Sequence, residues 1–207
     1  MLIKICGLTD ISEAIYLKEN KVDFAGMVLF YERSKRNITV EKAKEIMEHL
    51  QPDIKAVAVT VAPSVEQVHE IENAGFDYIQ IHDKVSDELL SSCKIPVLKA
   101  FNVDDLEFYE HYLSIFNIKG FVFDAGLPGS GKTFDWNMVK GLRRDDSRLY
   151  ILAGGLNADN VAEAINTVSP DGVDVSSGVE YLDKLGKDPD KISRFVNNVR
   201  SFIATDK

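Results

Sequence analysis

Cysteine is scarce in this chain, and long hydrophobic runs are missing. Cys6 and Cys93 are its two cysteines in 207 residues, and they lack the C-x-x-C spacing of a structural zinc site. Two cysteines are too few for the disulfide framework of a small secreted domain, so we expect a cytoplasmic, reducing environment. No apolar run approaches the about 18 residues that suggest a membrane span. The first residues also lack the basic and apolar regions of a signal peptide.

Positive charge is in deficit as well. Twenty-four Lys and Arg stand against thirty-three Asp and Glu, which gives a formal net charge of -9. Nucleic acids and anionic membranes select clustered positive charge, so we expect neither as a partner. Hydrophobic residues make up 45% of the chain, which is enough for a sizeable core. We therefore expect a globular monomer or homodimer that meets any anionic ligand locally.

Short apolar runs alternate with segments of helical period along the whole chain. The runs predict eight strands, at residues 2–6, 24–30, 54–61, 78–82, 97–103, 120–124, 149–153 and 172–175. The segments that follow them predict eight helices, at residues 11–19, 40–50, 65–73, 87–93, 106–116, 136–142, 158–168 and 189–203. Strands that are apolar on nearly every residue are typical of parallel sheets. Eight such units can form an open sheet, but we favour the α/β fold of a single-domain (β/α)8 TIM barrel over residues 1–207.

In such a barrel the ligand binds at the carboxyl ends of the strands. The candidate residues at these ends are Cys6, Gln80, His82, Asp124, Gly154, Gly155, Asp174, Ser176 and Ser177. Glycine lets backbone N–H groups approach an anion, and serine adds a hydroxyl donor. A phosphate pocket is therefore predicted at Gly154, Gly155, Ser176, Ser177 and Gly178. A phosphorylated small molecule is the ligand that this pocket favours.

Two of these residues have the chemistry of a base and an acid. Lys4 precedes Cys6 by two residues and projects to the same face, where its ammonium would favour the thiolate. Asp124 ends an apolar strand, which predicts a raised pKa and a role as an acid. A small buried hydrophobe and a loop cap are the respective structural alternatives. The basic residues around Arg36 predict a carboxylate site or, alternatively, a solvated loop.

Residues 126–133 match the Walker A pattern G-x-x-x-x-G-K-[ST]. A true P-loop needs a long helix that begins at its lysine, and a later strand that ends in a Mg²⁺-binding Asp. The predicted helix begins only after Asp135, and the next strand ends in Gly154 and Gly155. We therefore favour a glycine-rich loop that closes over a site, with a P-loop nucleotide-binding protein as the alternative.

Five motifs in order resemble those of the phosphoribosylanthranilate isomerase family of tryptophan biosynthesis. They lie at residues 4–8, 80–82, 124 with 129–136, 152–157 and 174–180, so the resemblance covers nearly the whole chain. It implies an Amadori rearrangement of N-(5-phospho-ribosyl)anthranilate to 1-(2-carboxyphenylamino)-1-deoxyribulose 5-phosphate. It implies a phosphosugar substrate, no cofactor and no metal.

The resemblance also implies the role of each site residue. Cys6 matches the general base, Asp124 the general acid and Arg36 the residue that binds the anthranilate carboxylate, while His82 and Asp174 contact the substrate. The related isomerase of histidine biosynthesis uses two aspartates, so a cysteine at position 6 argues against it. A phosphosugar-binding barrel without catalysis is disfavoured by the intact acid and base. Lys35 departs from the family pattern, in which proline usually precedes the arginine.

Overall fold

The computed structural model describes residues 1–50, 52–125 and 133–205, and its eight parallel strands close into one barrel. Strands β1 to β8 are Leu2–Cys6, Phe24–Val28, Lys55–Val61, Tyr78–His82, Val97–Asn102, Ile118–Asp124, Leu149–Leu152 and Gly172–Val175. Each strand pairs with the next along the chain, and β8 pairs with β1 to complete the ring. The predicted (β/α)8 fold is confirmed.

Helices follow the strands on the outside of the barrel. Helices α1 to α8 are Ile11–Glu19, Val40–Met47, Val65–Ala74, Asp87–Ser92, Tyr109–Tyr112, Asn137–Lys140, Val161–Val168 and Pro189–Thr205, and the two 3-10 helices are Val103–Phe108 and Ser177–Val179. The helix expected at residues 106–116 was wrong in extent, since a 3-10 helix precedes a single turn there. Helix α7 begins later than predicted. The Asn157 side chain accepts hydrogen bonds from the N–H groups of Asp159 and Asn160, and these bonds form a turn before the helix.

Side chains on each strand alternate between the barrel interior and the helix layer. The interior cluster consists of Phe24, Val57, Val59, Leu98, Ala100, Val122, Ile151 and Ala153. Their neighbours along the strands, such as Ile5, Met27 and Phe121, belong to the larger cluster that packs against the helices. The same alternation continues to the strand ends, so it directs polar side chains such as Asp124 into the barrel mouth.

Lys99 places a buried amino group in the outer layer. It lies on β5 between Val97 and Phe101 of the outer cluster and is only 3% exposed. Its Nζ donates to the Ala100 carbonyl oxygen at 2.7 Å, and it lies 5.0 and 5.2 Å from the ring centroids of Phe101 and Tyr112. Burial lowers the pKa of Lys99 to about 8.

We expect Lys99→Met to raise the free energy of unfolding at pH 7. The folded-state pKa of about 8 lies below the ordinary lysine pKa of about 10.4, so the unfolded chain binds more protons between these values. The charged form therefore costs stability below about pH 8, and this cost disappears as the pH rises towards 10.4. A gain of about 1 kcal/mol would raise Tm by about 2–4 °C in a chain of this size.

Thermal melts at pH 7 and pH 10 would check this expectation, with the difference between variant and wild type smaller at pH 10. Lys140→Met is the matched control because Lys140 is exposed on α6. Such surface substitutions usually change stability by less than about 0.5 kcal/mol. An equal gain at both pH values would contradict the argument from charge burial.

Candidate active site

The carboxyl ends of the strands surround a cavity of about 690 Å³. This volume lies within the usual range of about 300–1,000 Å³ for small-molecule sites. The predicted site residues that line it are Cys6, Arg36, His82, Asp124, Gly154, Gly155, Asp174, Ser176 and Ser177. Gly178 is not among the lining residues: a Cβ at this position would collide with the Leu156 carbonyl oxygen. Gly178 therefore allows the β7 and β8 loops to pack closely.

Cys6 ends β1 beside the ammonium group of Lys4. A Cβ built on Gly26 would lie 3.0 Å from Cys6 Sγ and 3.1 Å from Lys4 Nζ, so both atoms converge on this glycine. Lys4 Nζ donates to Asp174 Oδ2 at 2.7 Å, and both side chains are buried. Burial alone would lower the pKa of Lys4, but Asp174 and Cys6 together raise it above its usual value. Lys4 is therefore a fixed cation at the barrel mouth.

Lys4 has the effect on Cys6 that the sequence predicted, but it does not decide the net pKa of the thiol. Burial raises the pKa of the Cys6 thiol, the Lys4 charge lowers it, and the Asp174 carboxylate raises it further. The net pKa is higher than the ordinary value because burial outweighs the attraction of the ammonium group. Cys6 therefore rests as a thiol at neutral pH, and only a minor fraction is thiolate.

Asp124 ends β6 in a site that favours its neutral form. Burial is the main cause that raises the pKa of Asp124 to about 6, and the nearby Asp174 charge adds to it. This confirms the raised pKa predicted from sequence. Asp124 Oδ1 accepts a hydrogen bond from the Ala125 N–H group at 2.8 Å, and this bond fixes the carboxyl group. Gly154 allows this approach: its φ is +80°, and a Cβ there would lie 2.5 Å from the Ala125 nitrogen.

His82 and Gln80 form a buried pair at the end of β4. Gln80 Nε2 lies 2.8 Å from His82 Nε2. Because an amide N–H group only donates, the imidazole Nε2 accepts and its proton lies on Nδ1. Burial, with the charges of Lys99 and Lys4, lowers the pKa of His82 to about 3. His82 is therefore a neutral donor at the cavity wall.

Arg36 is bound to a carboxylate of its own chain, that of Glu180. Its Nε donates to Glu180 Oε1, and its Nη2 donates to Glu180 Oε2 at 3.1 Å. Lys35 Nζ lies 2.9 Å from Oε2 of the same carboxylate, and Lys187 Nζ lies 3.1 Å from Oε1. Burial alone would raise the pKa of Glu180, but these cations lower it to about 2. Within the described residues Arg36 Nη1 has no hydrogen-bond acceptor, so one edge of the guanidinium is left for a ligand carboxylate.

The role of Lys35 and Glu180 had no signal in the sequence. Arg36 and Glu180 are 144 residues apart, and only barrel closure brings them together. The lysine that replaces the expected proline before Arg36 therefore adds an ion pair to the arginine's own partner.

The predicted phosphate pocket keeps its backbone donors but loses one hydroxyl. Ser176 Oγ donates to the Cys6 carbonyl oxygen at 2.8 Å, so its single proton is already used. In the described part of the chain, the N–H groups of Gly155 and Ser177 donate to no backbone carbonyl, and the Ser177 hydroxyl has no partner. These groups line the cavity at the ends of β7 and β8, where (β/α)8 barrels often bind phosphate.

Residues 126–132 of the Walker-like segment lie outside the described residues. Helix α6, the first helix after it, begins at Asn137 and has four residues, which is too short for the helix that a P-loop requires.

Across residues 1–50, 52–125 and 133–205, no group of three or more His, Cys, Asp and Glu side chains is arranged to hold a metal ion. In these same ranges no helix is both long and apolar enough to cross a membrane.

A buried carboxylic acid, a thiol beside an ammonium group and a row of backbone N–H donors in one barrel mouth define an acid–base enzyme of the (β/α)8 class. The family model described as N-(5'-phosphoribosyl)anthranilate (PRA) isomerase matches residues 3–198. The chain belongs to this isomerase family.

Individual relatives agree with this assignment. The N-(5'-phosphoribosyl)anthranilate isomerase of Nitrosomonas eutropha is 38% identical over 96% of each chain. A phosphoribosyl anthranilate isomerase solved with reduced 1-(o-carboxyphenylamino)-1-deoxyribulose 5-phosphate is 32% identical, with a TM-score of 0.81 over 97% of this chain and 99% of that one. Monomers generated from the dimeric Thermotoga maritima enzyme are 34% identical, with a TM-score of 0.83 over the same shares.

The opposing charges around Cys6 give a test that needs no substrate. We expect Lys4→Met to raise the pKa of Cys6, because a cation is lost, and Asp174→Asn to lower it, because an anion is lost. The rate of alkylation by iodoacetamide against pH would measure this, with mass spectrometry separating Cys6 from Cys93. The wild-type midpoint should lie above the ordinary thiol value of about 8.5. Movement of both variants in the same direction would contradict the proposed charge balance.

Proposed function

We propose that this chain catalyses the Amadori rearrangement of N-(5'-phosphoribosyl)anthranilate to 1-(2-carboxyphenylamino)-1-deoxyribulose 5-phosphate, a step of tryptophan biosynthesis. The observation that carries the proposal is the Asp124 carboxyl, with its pKa of about 6, in the same cavity as the Cys6 thiol and its lysine neighbour. The rearrangement needs one proton donor and one proton acceptor. Its mechanism calls on no cofactor or metal.

Asp124 acts first, as the general acid. Its proton passes to the furanose ring oxygen, the C1–O bond breaks with its electron pair on that oxygen, and the nitrogen lone pair forms a C=N bond. The sugar opens to an iminium ion and a new 4-hydroxyl group. With a pKa of about 6, roughly one Asp124 carboxyl in ten is protonated at pH 7. A carboxyl with an ordinary pKa near 3.9 would have about a hundredfold smaller fraction.

Cys6 then acts as the general base. The iminium ion makes the C2 proton acidic, and the thiolate removes it to leave an enolamine, which tautomerises to the ketone. Lys4 stabilises the thiolate from its position beside Sγ, and Asp174 holds Lys4 there through the 2.7 Å hydrogen bond. Two buried acceptors that have no partner among the described residues, Gln80 Oε1 and Asp174 Oδ1, are available to the ribosyl hydroxyl groups.

The two anionic ends of the substrate bind at separate places. The free edge of Arg36 binds the anthranilate carboxylate. The β7 and β8 loops bind the phosphate, to which the N–H groups of Gly155 and Ser177 donate hydrogen bonds. Arg33 and Lys35 also line the cavity, so cations gather at the mouth of a chain whose formal net charge is -9. They raise the local concentration of an anionic substrate.

The remaining expectations follow from this reaction. We propose that the partner is a phosphosugar rather than a nucleic acid or a membrane, and that residues 1–207 act as one domain. The reducing cytoplasm keeps the Cys6 thiol in its active form. A monomer or a homodimer would suffice, because acid, base and both anion sites belong to one chain.

The test is the loss of phosphoribosylanthranilate fluorescence when the purified chain is added. We expect Cys6→Ser and Asp124→Asn each to lower kcat by about 10²–10⁴-fold, the usual contribution of one positioned acid or base. Cys93→Ser is the matched control, because Cys93 is a buried thiol outside the cavity. If the folded wild-type chain produced no loss above the uncatalysed rate, the proposal would be rejected.

The pH dependence of kcat/KM follows from the two pKa values. The reaction needs Asp124 protonated and Cys6 ionised, whereas the pKa of the acid, about 6, lies below that of the base. The fraction with both groups in the reactive form rises with pH up to about 6, stays level and falls above the pKa of Cys6. We expect this plateau in initial rates corrected for the uncatalysed reaction. A steady decline between pH 6 and 8 would contradict the proposed protonation states.

A further inference from the structure

We propose that Asn102, which none of the roles above involves, contacts the sugar ring oxygen beside Asp124 and stabilises the ring-opened form of the substrate. The inference rests on the proposed function and assigns a further residue of the same site. Asn102 is the last residue of β5, and its side chain lines the cavity.

The strand register places Asn102 next to the acid. Asn102 and Asp124 are paired residues of β5 and β6, which lie side by side in a parallel ladder. Neighbouring strands are about 4.8 Å apart, and paired residues project to the same face. Ala100 and Val122, two residues earlier on each strand, belong to the barrel interior cluster. Asn102 and Asp124 therefore project side by side into the mouth.

The other neighbour of β6 brings no polar side chain. Leu152 pairs with Phe123, so β7 continues past Asp124 with Ala153 and Gly154. Gln80 also has a side-chain oxygen with no partner in the described part of the chain, but it lies on β4, which β5 separates from β6. Among the described residues that flank Asp124 in the sheet, Asn102 is the one with a hydrogen-bonding side chain.

No structural role accounts for this side chain. Asn102 occupies the N-cap position of the 3-10 helix Val103–Phe108, yet its side chain makes no capping hydrogen bond. Its Oδ1 is buried and has no partner within the described residues. Leaving a buried acceptor unpaired is unfavourable. The amide is therefore better explained by a ligand group than by the fold.

Ring opening changes what the ring oxygen requires from its neighbour. In the closed sugar this oxygen has no proton and can only accept a hydrogen bond. Once Asp124 has transferred its proton, the same oxygen is the 4-hydroxyl group and can donate. Asn102 Oδ1 then gains a hydrogen bond that it lacks in the closed state. An interaction that forms only after ring opening raises kcat more than it tightens substrate binding.

The experiment measures kcat and KM for Asn102→Ala, Asn102→Ser and the control Val61→Ala. Val61 also ends its strand and lines the cavity, but it carries no polar group. We expect Asn102→Ala to lower kcat by about tenfold, the equivalent of one hydrogen bond, with KM changed by less than about twofold. Asn102→Ser should recover part of the loss, because a hydroxyl also accepts. Val61→Ala should leave kcat within about twofold of wild type.

A binding measurement distinguishes a contact between Asn102 and the substrate from a role of Asn102 in packing alone. Reduced 1-(o-carboxyphenylamino)-1-deoxyribulose 5-phosphate is an open chain that already carries the 4-hydroxyl. We expect its affinity for Asn102→Ala to fall by about the same tenfold, while inorganic phosphate binds as to wild type. Calorimetry would measure both ligands, and the thermal melts of the variants would verify folding.

A third variant tests the placement beside the acid. Asn102→Asp puts a carboxylate next to Asp124, so it should raise the pKa of Asp124 and move the acidic limb of the kcat/KM profile to higher pH. An unmoved limb would show that the two side chains are not neighbours and would overturn the inference.

The remaining outcomes are equally distinct. If Asn102→Ala kept the kcat and the analogue affinity of wild type, the inference on Asn102 would be wrong. The same would hold if Val61→Ala lowered kcat as much as Asn102→Ala did. Neither result would contradict the proposed isomerase activity. If the folded wild type failed to turn over phosphoribosylanthranilate, the proposed function itself would fail.

Discussion

The ion pair between Lys4 and Asp174 lies where the two ends of the chain meet. These residues are paired in the ladder between β1 and β8, the contact that turns eight sequential strands into a closed ring. Both side chains are buried, so each charge needs the other: breaking a buried pair by removing one partner typically costs about 3–5 kcal/mol. The same pair sets the charges around Cys6. One contact therefore contributes both to the seam that closes the barrel and to the electrostatics around Cys6.

Further contacts from β8 extend this seam towards the substrate. Ser176 donates to the Cys6 carbonyl oxygen, and Lys187 donates to Ser176 and to Glu180, which in turn holds Arg36. Cys6 and Arg36 thus share one hydrogen-bonded network across β1, the loop after β8 and the loop after β2. Asp124 has no hydrogen bond to this network among the described residues: the Ala125 N–H group fixes its carboxyl group, and burial raises its pKa to about 6. Burial also raises the pKa of Cys6, and the Asp174 charge adds to both shifts.

The sequence was informative where chemistry is local. Strands β1, β4 and β8 have the predicted bounds because the period-two pattern and the turn residues around them are local signals. Asp124 and its raised pKa could be predicted because an acid at the end of an apolar strand is desolvated in any closed barrel. The split helix after β5 could not, because residues 103–108 keep apolar spacing but form a 3-10 helix that the tertiary context selects.

Contacts between distant strands gave no such signal. The pairing of Arg36 with Glu180 spans 144 residues. The net direction of the Cys6 pKa depends on how completely the closed barrel excludes water, because burial competes there with the attraction of Lys4. Asn102 lay inside the predicted strand 97–103 and gave no signal either, because its side-chain oxygen is found to lack a partner only once its neighbours among the described residues are known.

The order of the strands around the ring explains how a single substrate meets all these groups. The proposed acid lies on β6, the backbone donors on the β7 and β8 loops, the proposed base on β1 and Arg36 after β2, so the four positions follow one another round the barrel. In the proposed substrate the ring oxygen is attached to C4, next to the carbon that carries the phosphate. C2 lies between that end and the anthranilate carboxylate. In the proposed binding mode, a phosphate at β7 and β8 would bring the ring oxygen towards Asp124, and a carboxylate on Arg36 would bring C2 towards Cys6. Because different loops would hold the two ends in this binding mode, the ring could open without releasing either end before the proposed base removes the proton.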